Sequence, residues 1–323
     1  MKAIRFAKAG GPEVLTLHDF ELPPPAPGQV RVRHSAIGVN FIDTYHRSGL
    51  YPVALPSGLG MEAAGTVEAL GENVTGLTPG DRVGYCTGPI GAYAEANNVP
   101  ADRVVKLPAA INDEVAAASL LKGMTAQYLL KRTFAVQPGQ TVLIHSAAGG
   151  VGLIAGQWAK HLGATVIGTV GSDDKIELAK AHGYDQVLNL RMDEWVARVR
   201  ELTNGEGVPV VYDSVGKDTF AGSLDCLAVR GMLVSFGNSS GAVPAFEPAL
   251  LSAKGSLYLT RPTLFHYIRT PRELQETADD LFAVIASGAV KIEINQRFAL
   301  KDARAAHEAL QARKTTGATV LLP

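Results

Sequence analysis

The chain has 323 residues, of which 46% are hydrophobic and 19% charged, so its length predicts two domains and its composition excludes a disordered protein. The formal net charge of −1 and the pI near 6.7, without any run of Lys and Arg, argue against nucleic acid as a partner. The first ten residues lack the apolar core of a signal peptide and no apolar stretch approaches the roughly 18 residues of a membrane span, so we expect a soluble cytoplasmic protein.

The first part of the chain, from about Lys2 to Leu107, consists of short strand-like segments broken by Gly and Pro. The segments QVRVRHSAIGVN, EAAGTVEALG and PGDRVGY have the alternation or the turn residues of strands. We therefore predict a β-rich first domain. The two cysteines, Cys86 and Cys226, lie far apart and form no CxxC pair, so we expect buried structural thiols rather than a disulfide or a metal cluster.

After Pro108 the apolar residues recur at helical spacing for more than twenty positions, with Gly123 as the expected break. Strands and helices then alternate, which indicates a parallel sheet covered on both faces. The predicted strands cover residues 141–145, 165–170, 186–189, 210–213, 232–236 and 257–260. The predicted helices begin near Gly150, Asp173, Asp193 and Lys217.

From about Arg261 this alternation ends. The pattern predicts an amphipathic helix over 272–287, a strand over 296–299 and a helix over 301–312. Because a chain end often completes the core in which the chain began, we expect this tail to return to the first domain.

The stretch HSAAGGVG, residues 145–152, packs three glycines between a β-branched run and an amphipathic helix. Ala147, Gly149 and Gly152 occupy the three places of the G-x-G-x-x-G fingerprint, with Ala for the first Gly. Backbone N–H groups at the start of the helix can point at an anion. The setting of strand, turn, helix and strand therefore predicts a dinucleotide-binding site.

The strand after this helix ends in TVGS, residues 169–172, without the acidic residue that binds the ribose hydroxyls of NAD. Small residues leave room for a 2′-phosphate. An anionic ligand would explain Lys175 in the first turn of the next helix, where the helix dipole disfavours a cation; the alternative is a solvated surface lysine. Asp173 and Asp174 suit a helix start but would repel a phosphate unless they face away. The sequence favours NADPH.

Together with the glycine loop and the β-rich start, VVYDSVG at 210–216 and SFGNSSG at 235–241 resemble the medium-chain dehydrogenase/reductase superfamily. The whole chain is similar to the zeta-crystallin-like NADPH:quinone oxidoreductases, the bacterial ones in particular, in GVNFIDTYHRSGLYP, LPSGLGMEAAGTV, GPEVL and LTRPTL. The resemblance implies an α/β fold: a Rossmann doubly wound parallel sheet over 123–261, and a β-rich GroES-like catalytic domain over 1–122 and 262–323. It also implies a homodimer formed through the outer strand GSLYLTR.

Zinc alcohol dehydrogenases of this superfamily bind a catalytic metal through a Cys and a His where this chain has Asn40 and Met61. Amide and thioether groups are poor ligands for Zn(II), so no metal is predicted. The histidines, His34, His46 and His145 among them, are expected to be packed or on the surface. Without a Lewis acid the substrate should be intrinsically electrophilic. A quinone and an α,β-unsaturated ketone both fit, and the resemblance favours the quinone.

In this family the nicotinamide lies between the domains, so the resemblance implies that Asn40, Asp43 and Tyr51 line the reaction site. Asn40 would donate a hydrogen bond to the carboxamide or to substrate oxygen, Asp43 would hold a neighbouring polar group, and Tyr51 would stack or donate a proton. The residues alone leave open a turn role for Asn40 and a packed loop aromatic at Tyr51.

The resemblance also implies a set of residues that bind NADPH. These are Asn40, Thr125, Ala148, Gly149, Gly150, Val151, Gly152, Gly171, Ser172, Lys175, Phe236, Gly237, Asn238, Ser239, Ser240 and Arg313. Residues 149–152 are implied at the pyrophosphate, residues 236–240 near the nicotinamide, and Ser172, Lys175 and Arg313 at the 2′-phosphate. Leu190 stands where related enzymes commonly have Tyr, which weakens the expected preference for NADPH.

Three functions therefore remain open. The first is a zinc-independent NADPH:quinone reductase, and the second is an enone or enoyl reductase on the same scaffold. The third is a cofactor-binding protein of low turnover with a structural or RNA-binding role, although the neutral pI counts against RNA. Turnover separates the enzymes from the third function, and the product separates the first two.

Overall fold

The computed structural model describes residues 1–191 and 194–323. It divides into two compact units: unit 1 comprises Met1–Met124, Ile268–Ala286 and Ile292–Pro323, and unit 2 comprises Thr125–Tyr267 and Ser287–Lys291. The domain limits expected from the sequence stay a prediction. None of the described helices is both long and apolar enough to cross a membrane.

The strands and helices of the described residues are numbered here in chain order. The strands are β1 (Lys2–Phe6), β2 (Thr16–Asp19), β3 (Gln29–Val39), β4 (Ser57–Gly58), β5 (Glu62–Leu70), β6 (Arg82–Tyr85), β7 (Ala96–Pro100), β8 (Val105–Lys106), β9 (Thr141–Ile144), β10 (Thr165–Val170), β11 (Gln186–Asn189), β12 (Val208–Asp213), β13 (Leu227–Ser235), β14 (Tyr258–Thr260), β15 (Ile294–Ala299) and β16 (Ala318–Leu322). The α-helices are α1 (Phe41–Ser48), α2 (Asp113–Tyr128), α3 (Gly150–His161), α4 (Ile176–Lys180), α5 (Trp195–Leu202), α6 (Phe220–Asp225), α7 (Ala249–Ala253), α8 (Leu264–Tyr267), α9 (Pro271–Ala286) and α10 (Ala303–Gln311). A π-helical turn, Leu129–Thr133, follows α2, and 3-10 helices cover Pro12–Val14, Ala101–Arg103, Asp173–Lys175 and Leu300–Asp302.

Unit 1 is built on a mainly antiparallel sheet of the order β15-β16-β3-β5-β6-β8, with β7 also paired to β3. The alternation expected for β3 is present: Val30 and Val32 are buried, whereas the exposed Arg33 binds Glu68 of β5 at 2.6 Å. The strands predicted around β5 and β6 are also confirmed. The β-rich first domain is therefore correct.

Helix α1 was not predicted from the sequence. The Asp43 Oδ2 at its third position accepts a hydrogen bond from the backbone N–H of Asn40 at 2.8 Å, as the N3 residue of a capping box does. Gly49, at φ +84°, ends the helix in the left-handed conformation. The spacing of Asn40 and Asp43 was the available signal, and it was hidden inside a segment read as strand and turn.

Unit 2 contains a parallel sheet whose order within the described residues is β11-β10-β9-β12-β13-β14. This is the strand order of a doubly wound sheet. In such sheets ligands bind at the carboxyl ends of the strands, at the point beside β9 where the strand order reverses. All six predicted strands are confirmed, with β13 beginning five residues earlier than residue 232. The expected doubly wound sheet is therefore confirmed.

The predicted helix starts agree with the structure less closely than the predicted strands do. The helix at Gly150 is confirmed, and the start near Asp173 is a 3-10 helix that leads into α4. The helix expected near Lys217 is present but begins three residues later, at Phe220, because a turn in which Thr219 N–H bonds to the Gly216 carbonyl precedes α6. The start near Asp193 lies outside the described residues.

The C-terminal tail returns to unit 1, as expected. The helix, strand and helix predicted there correspond to α9, β15 and α10, and β16 pairs with β3. The expected helix break at Gly123 is wrong, since α2 continues through it. A Cβ at Gly123 would lie 2.4 Å from Leu281 Cδ1, so this glycine permits the close approach of α9 rather than ending a helix.

Candidate active site

The glycine loop lies between β9 and α3, at the carboxyl edge of the parallel sheet. Ser146, at φ +56°, has a left-handed backbone angle in this tight turn, just before the first position of the fingerprint. The next residue, Ala147, is buried and donates its N–H to the Thr169 carbonyl at 2.8 Å. Alanine is tolerated at 147 because this residue does not have a left-handed backbone angle.

Gly152 brings the start of α3 against this loop. A Cβ on Gly152 would lie 2.2 Å from the Ser146 carbonyl oxygen and 2.8 Å from that of Ala147. The hydroxyl of Tyr184 donates to the Gly152 carbonyl at 2.7 Å and fixes this end of the helix. The first-turn N–H groups of Gly150, Val151 and Gly152 have no carbonyl to bind within the helix, so they suit a pyrophosphate.

A buried cluster of polar side chains lies next to the glycine loop, around His145. His145 Nδ1 lies 2.7 Å from Thr169 Oγ1, His145 Nε2 lies 2.9 Å from Ser223 Oγ, and Ser223 donates to Asp213 Oδ2 at 2.8 Å. Because the Ser223 proton is given to Asp213, its oxygen accepts the His145 Nε2 proton. Burial lowers the pKa of His145, which is packed as expected and joins the ends of three strands.

The predicted residues 236–240 lie in the loop after β13, at the same edge of the sheet. Phe236 N–H donates to the Asp213 carbonyl at 2.8 Å, and the Ser240 hydroxyl donates to the Val215 carbonyl at 2.8 Å. A Cβ on Gly237 would lie 2.5 Å from the Ser214 carbonyl oxygen. The structure therefore brings the 236–240 loop against the 213–216 turn. Thr125, the other residue predicted on the cofactor side, is largely buried in α2.

The segment after β10 is the predicted 2′-phosphate site. The Ser172 hydroxyl bonds to Asp174 and, with the nearby charges of Lys175 and Arg191, holds the pKa of Asp174 below its usual range. Space around the Gly171 α-carbon is open. Arg191 is a cation at this place that the sequence analysis missed.

The second acidic residue of this segment is also engaged. Asp173 Oδ1 accepts a hydrogen bond from Asn189 Nδ2 at 2.8 Å. Leu190 is half-buried and its N–H bonds to the Val170 carbonyl at 2.9 Å. Arg313 belongs to unit 1, in the turn after α10 at φ +57°, and its role at the phosphate stays a prediction.

In unit 1, Asn40 lies beside a buried ion pair. Its Nδ2 is 2.7 Å from Glu62 Oε2, and the same oxygen is 3.2 Å from Lys122 Nζ. Asn40 is 4% exposed and Glu62 is completely buried. Within the described residues Asn40 Oδ1 is buried without a hydrogen-bond partner. Buried polar atoms are rarely left unpaired in native proteins, so this oxygen is a candidate ligand contact.

Asp43 belongs to a second buried chain of polar groups. Its Oδ2 accepts from the Tyr93 hydroxyl at 2.9 Å, and that hydroxyl lies 3.1 Å from His307 Nε2. Arg47 Nη1 donates to His307 Nδ1 at 3.0 Å. Burial raises the pKa of Asp43 to about 7 and lowers the pKa of His307 to about 3, so the histidine is neutral with its proton on Nε2.

Tyr51 lies in the loop after α1 and is half-buried. Its ring packs edge-on to Tyr45 with centroids 5.2 Å apart, and lies 6.1 Å from the His46 ring; Phe41 continues the row, 5.8 Å from Tyr45. The structure thus joins Asn40 directly to Asp43 through the helix start, and links Tyr51 to α1 through Tyr45. The result is an aromatic surface that starts next to Asn40.

The residues at the expected zinc position do not fit a metal. Asn40 presents an N–H to Glu62 there, and the ammonium of Lys122 already neutralises that carboxylate. Met61 supplies only a thioether, which Zn(II) binds poorly. In the part of the chain that the structure describes, no group of three His, Cys, Asp or Glu side chains is arranged around a metal site.

Sequence reasoning missed Glu62, Lys122, Tyr93 and His307. Two of them are charged residues in otherwise apolar segments: Glu62 in MEAAGTV and Lys122 in SLLKGMTA. That contrast was the available signal, but a single polar residue in such a segment is usually interpreted as solvent-facing. Cys86 and Cys226 are free and buried as expected, and burial raises the pKa of Cys226 to about 12.

Comparison with known proteins covers the whole chain. The family model described as alcohol dehydrogenase GroES-like domain matches residues 26–109, and the one described as zinc-binding dehydrogenase matches residues 150–283. The chain is 57% identical to a quinone oxidoreductase of Pseudomonas aeruginosa (100% of this chain and 99% of the relative) and 46% identical to a 2-haloacrylate reductase of Burkholderia sp. (98% and 97%). It matches the crystal structure of Escherichia coli quinone oxidoreductase complexed with NADPH with a TM-score of 0.99, at 52% identity over 100% of both chains.

Proposed function

The chain belongs to the quinone oxidoreductases of the medium-chain dehydrogenase/reductase superfamily, and on that premise we propose that it is a metal-independent NADPH:quinone reductase. The overall reaction converts a quinone, NADPH and a proton into a hydroquinone and NADP⁺. The observation that carries the proposal is the environment of Asn40. Where zinc enzymes need ligands, this chain has an amide, a thioether and a neutralised ion pair, so the acceptor must be electrophilic without a Lewis acid.

The cofactor side of the proposal rests on unit 2. The N–H groups at the start of α3 bind the pyrophosphate, the 236–240 loop lies at the nicotinamide end, and Ser172 and Lys175 bind the 2′-phosphate. Because Asp173 accepts a hydrogen bond from Asn189, its carboxylate does not need to face that phosphate. NADPH, when bound, supplies the hydride, and the name of the Escherichia coli structure supports this choice of cofactor.

The acceptor side of the proposal rests on Asn40, Asp43 and Tyr51. Asn40 offers an unpaired oxygen, which suits a donor on the cofactor rather than the quinone carbonyl, and Asp43 holds α1 in place through the Asn40 N–H. The row of Phe41, Tyr45 and Tyr51 presents aromatic faces and edges on which a flat quinone ring stacks. The chain's own residues therefore orient the acceptor, and the chemistry needs little more than positioning.

A second candidate acceptor is an activated alkene, because the Burkholderia relative is named 2-haloacrylate reductase. A carboxylate-bearing alkene and a quinone differ in charge and shape. The aromatic row favours the quinone, since a small acrylate gains little from stacking.

The test is stopped-flow oxidation of NADPH against 1,4-benzoquinone, 1,2-naphthoquinone, an enone and 2-chloroacrylate, with and without a chelator. A parallel assay offers an alcohol and NADP⁺. We expect quinones to react fastest and the chelator to have no effect. Inhibition by the chelator or a preference for the alcohol contradicts the proposal, and a preference for 2-chloroacrylate selects the second candidate.

We also propose a homodimer formed through β14, which is an edge strand of the sheet in unit 2. Tyr258 on this strand is 58% exposed and Val229 on the neighbouring β13 is 74% exposed. Pairing of two such edges would cover both side chains and remove an open edge. Light scattering after size-exclusion chromatography measures the mass directly; a monomer would contradict the proposal. A cytoplasmic location stays a prediction of the sequence.

A further inference from the structure

One buried carboxylate in unit 1 serves three hydrogen-bond donors. Glu62 Oε1 accepts from the Leu121 N–H at 2.7 Å, and Glu62 Oε2 accepts from Lys122 Nζ at 3.2 Å and from Asn40 Nδ2 at 2.7 Å. An ionised carboxylate is only an acceptor. Every group that faces it must therefore present a proton.

This requirement fixes the orientation of the Asn40 amide. Its Nδ2 lies 2.7 Å from Glu62 Oε2 and 3.5 Å from the Gly38 carbonyl oxygen. Turning the amide by 180° would place Oδ1 against both of these acceptors without a proton in between. Asn40 is therefore left with one free function, its carbonyl oxygen, which is buried and has no partner among the described residues.

The backbone is shaped to admit the carboxylate. A Cβ at Gly38 would lie 2.1 Å from Glu62 Oε2 and 2.2 Å from the Ala117 carbonyl oxygen. Only glycine at this point of β3 lets the carboxylate reach Asn40. The contact between Glu62 and Asn40 is thus supported by the sheet and by α2 together.

We propose that Glu62 is a positioning residue that makes Asn40 an acceptor for the carboxamide N–H of the bound nicotinamide, an inference that rests on the proposed function. It reverses the expectation that Asn40 donates. A quinone carbonyl is itself an acceptor and gains nothing from Asn40 Oδ1, whereas the carboxamide amino group is a donor. A ligand that lacks this donor leaves a buried oxygen unpaired, which weakens its binding.

The test compares equilibrium binding of NADPH with that of reduced 3-acetylpyridine adenine dinucleotide phosphate, in which a methyl ketone replaces the carboxamide. Fluorescence titration without any acceptor reports binding alone. We expect the wild-type protein to prefer NADPH by about tenfold, the effect of one unpaired buried acceptor. Asn40→Ala should bind both nucleotides equally well.

The variant Asn40→Asp distinguishes whether residue 40 accepts a hydrogen bond from the ligand or donates one to it. Two carboxyl groups 2.7 Å apart share a proton, so Asp at 40 donates that proton to Glu62 and still presents an oxygen to the ligand. We expect this variant to keep the preference for NADPH. If it loses the preference as Asn40→Ala does, Asn40 acts as a donor and the inference is wrong.

Glu62→Gln tests the positioning role itself. A glutamine offers one acceptor oxygen where the carboxylate offers two, so Asn40 is no longer held in one orientation and the preference should shrink to less than about threefold. An unchanged preference in a folded variant overturns the role of Glu62. Absence of NADPH binding by the wild-type protein overturns the proposed function, whereas equal binding of both nucleotides overturns this inference alone.

Discussion

The Tyr93 hydroxyl donates a hydrogen bond to Asp43 Oδ2 at 2.9 Å, and both side chains are completely buried. Because Arg47 donates to His307 Nδ1, the His307 Nε2 proton faces the Tyr93 oxygen, and the whole chain of donors points towards Asp43. These donors do not offset burial, which raises the pKa of Asp43 to about 7. The carboxyl group is therefore a source of pH-dependent stability.

Asp43→Asn should remove this pH dependence. The unfolded carboxyl group titrates near pH 4, so between about pH 4 and 7 the folded protein binds a proton that the unfolded chain releases. The wild-type free energy of unfolding then falls as pH rises, by up to about 1.4 kcal/mol per pH unit from this group. Urea unfolding at pH 5 and pH 7 should show Asn gaining about 2 kcal/mol relative to Asp over this interval.

A matched variant of opposite sign is His34→Gln. Burial lowers the pKa of His34 to about 4, so its contribution to stability is present above pH 6.5 and is lost as pH falls towards 4. The variant should therefore gain stability relative to the wild type as pH decreases.

A difference between Asp43→Asn and the wild type that does not change with pH would contradict the interpretation of Asp43.

Lys175→Ala should raise KM for NADPH by about tenfold or more and leave KM for NADH within about twofold. A charge-assisted hydrogen bond to a phosphate contributes about 1.5–3 kcal/mol, and only NADPH carries the 2′-phosphate. Lys180→Ala is the control, because Lys180 is an exposed lysine paired with Glu177 at the end of α4, the helix that follows Lys175. Equal changes with both nucleotides would remove the phosphate role of Lys175.

Gly152→Ala should destabilise unit 2 and weaken NADPH binding. The new Cβ would meet the Ser146 carbonyl oxygen at 2.2 Å, and backbone on both sides leaves no flexible side chain to move. Forced overpacking of this kind costs about 1–3 kcal/mol. Gly171→Ala is the control for stability, because nothing lies within 4 Å of its Cβ; it should unfold within about 0.5 kcal/mol of the wild type.

The parts of the fold that were predictable depend on local patterns. The alternation in β3 and the strand, turn, helix and strand around Gly149 are each encoded within a short segment. The chemistry of Asn40 is not local, because its partner Glu62 lies 22 residues away and only the paired strands bring the two together. The sequence named Asn40 as a site residue, but it gave no sign that Glu62 occupies the Asn40 amide N–H.

Gly123 and Ala147 are two further positions where the residue type alone does not determine the backbone structure. A glycine in a helical pattern indicates a break only if nothing packs against it, and the contact with Leu281 decides otherwise. An alanine at the first position of the glycine fingerprint is acceptable because the left-handed angle of this turn lies at Ser146 and not at Ala147. Neither compensation can be read from the residue type alone.

Tyr51→Phe should retain kcat and KM for a quinone within about threefold, whereas Tyr51→Ala should raise KM by about tenfold. The Tyr51 ring packs edge-on against Tyr45 at 5.2 Å, and the expected result follows if this ring acts as an aromatic surface for the quinone. Leu50→Ala is the control, because Leu50 is a neighbouring side chain that is 48% exposed. Steady-state kinetics with 1,2-naphthoquinone measure both constants. If Tyr51→Phe lowers kcat as strongly as Tyr51→Ala does, the hydroxyl takes part in proton transfer and the stacking role is wrong.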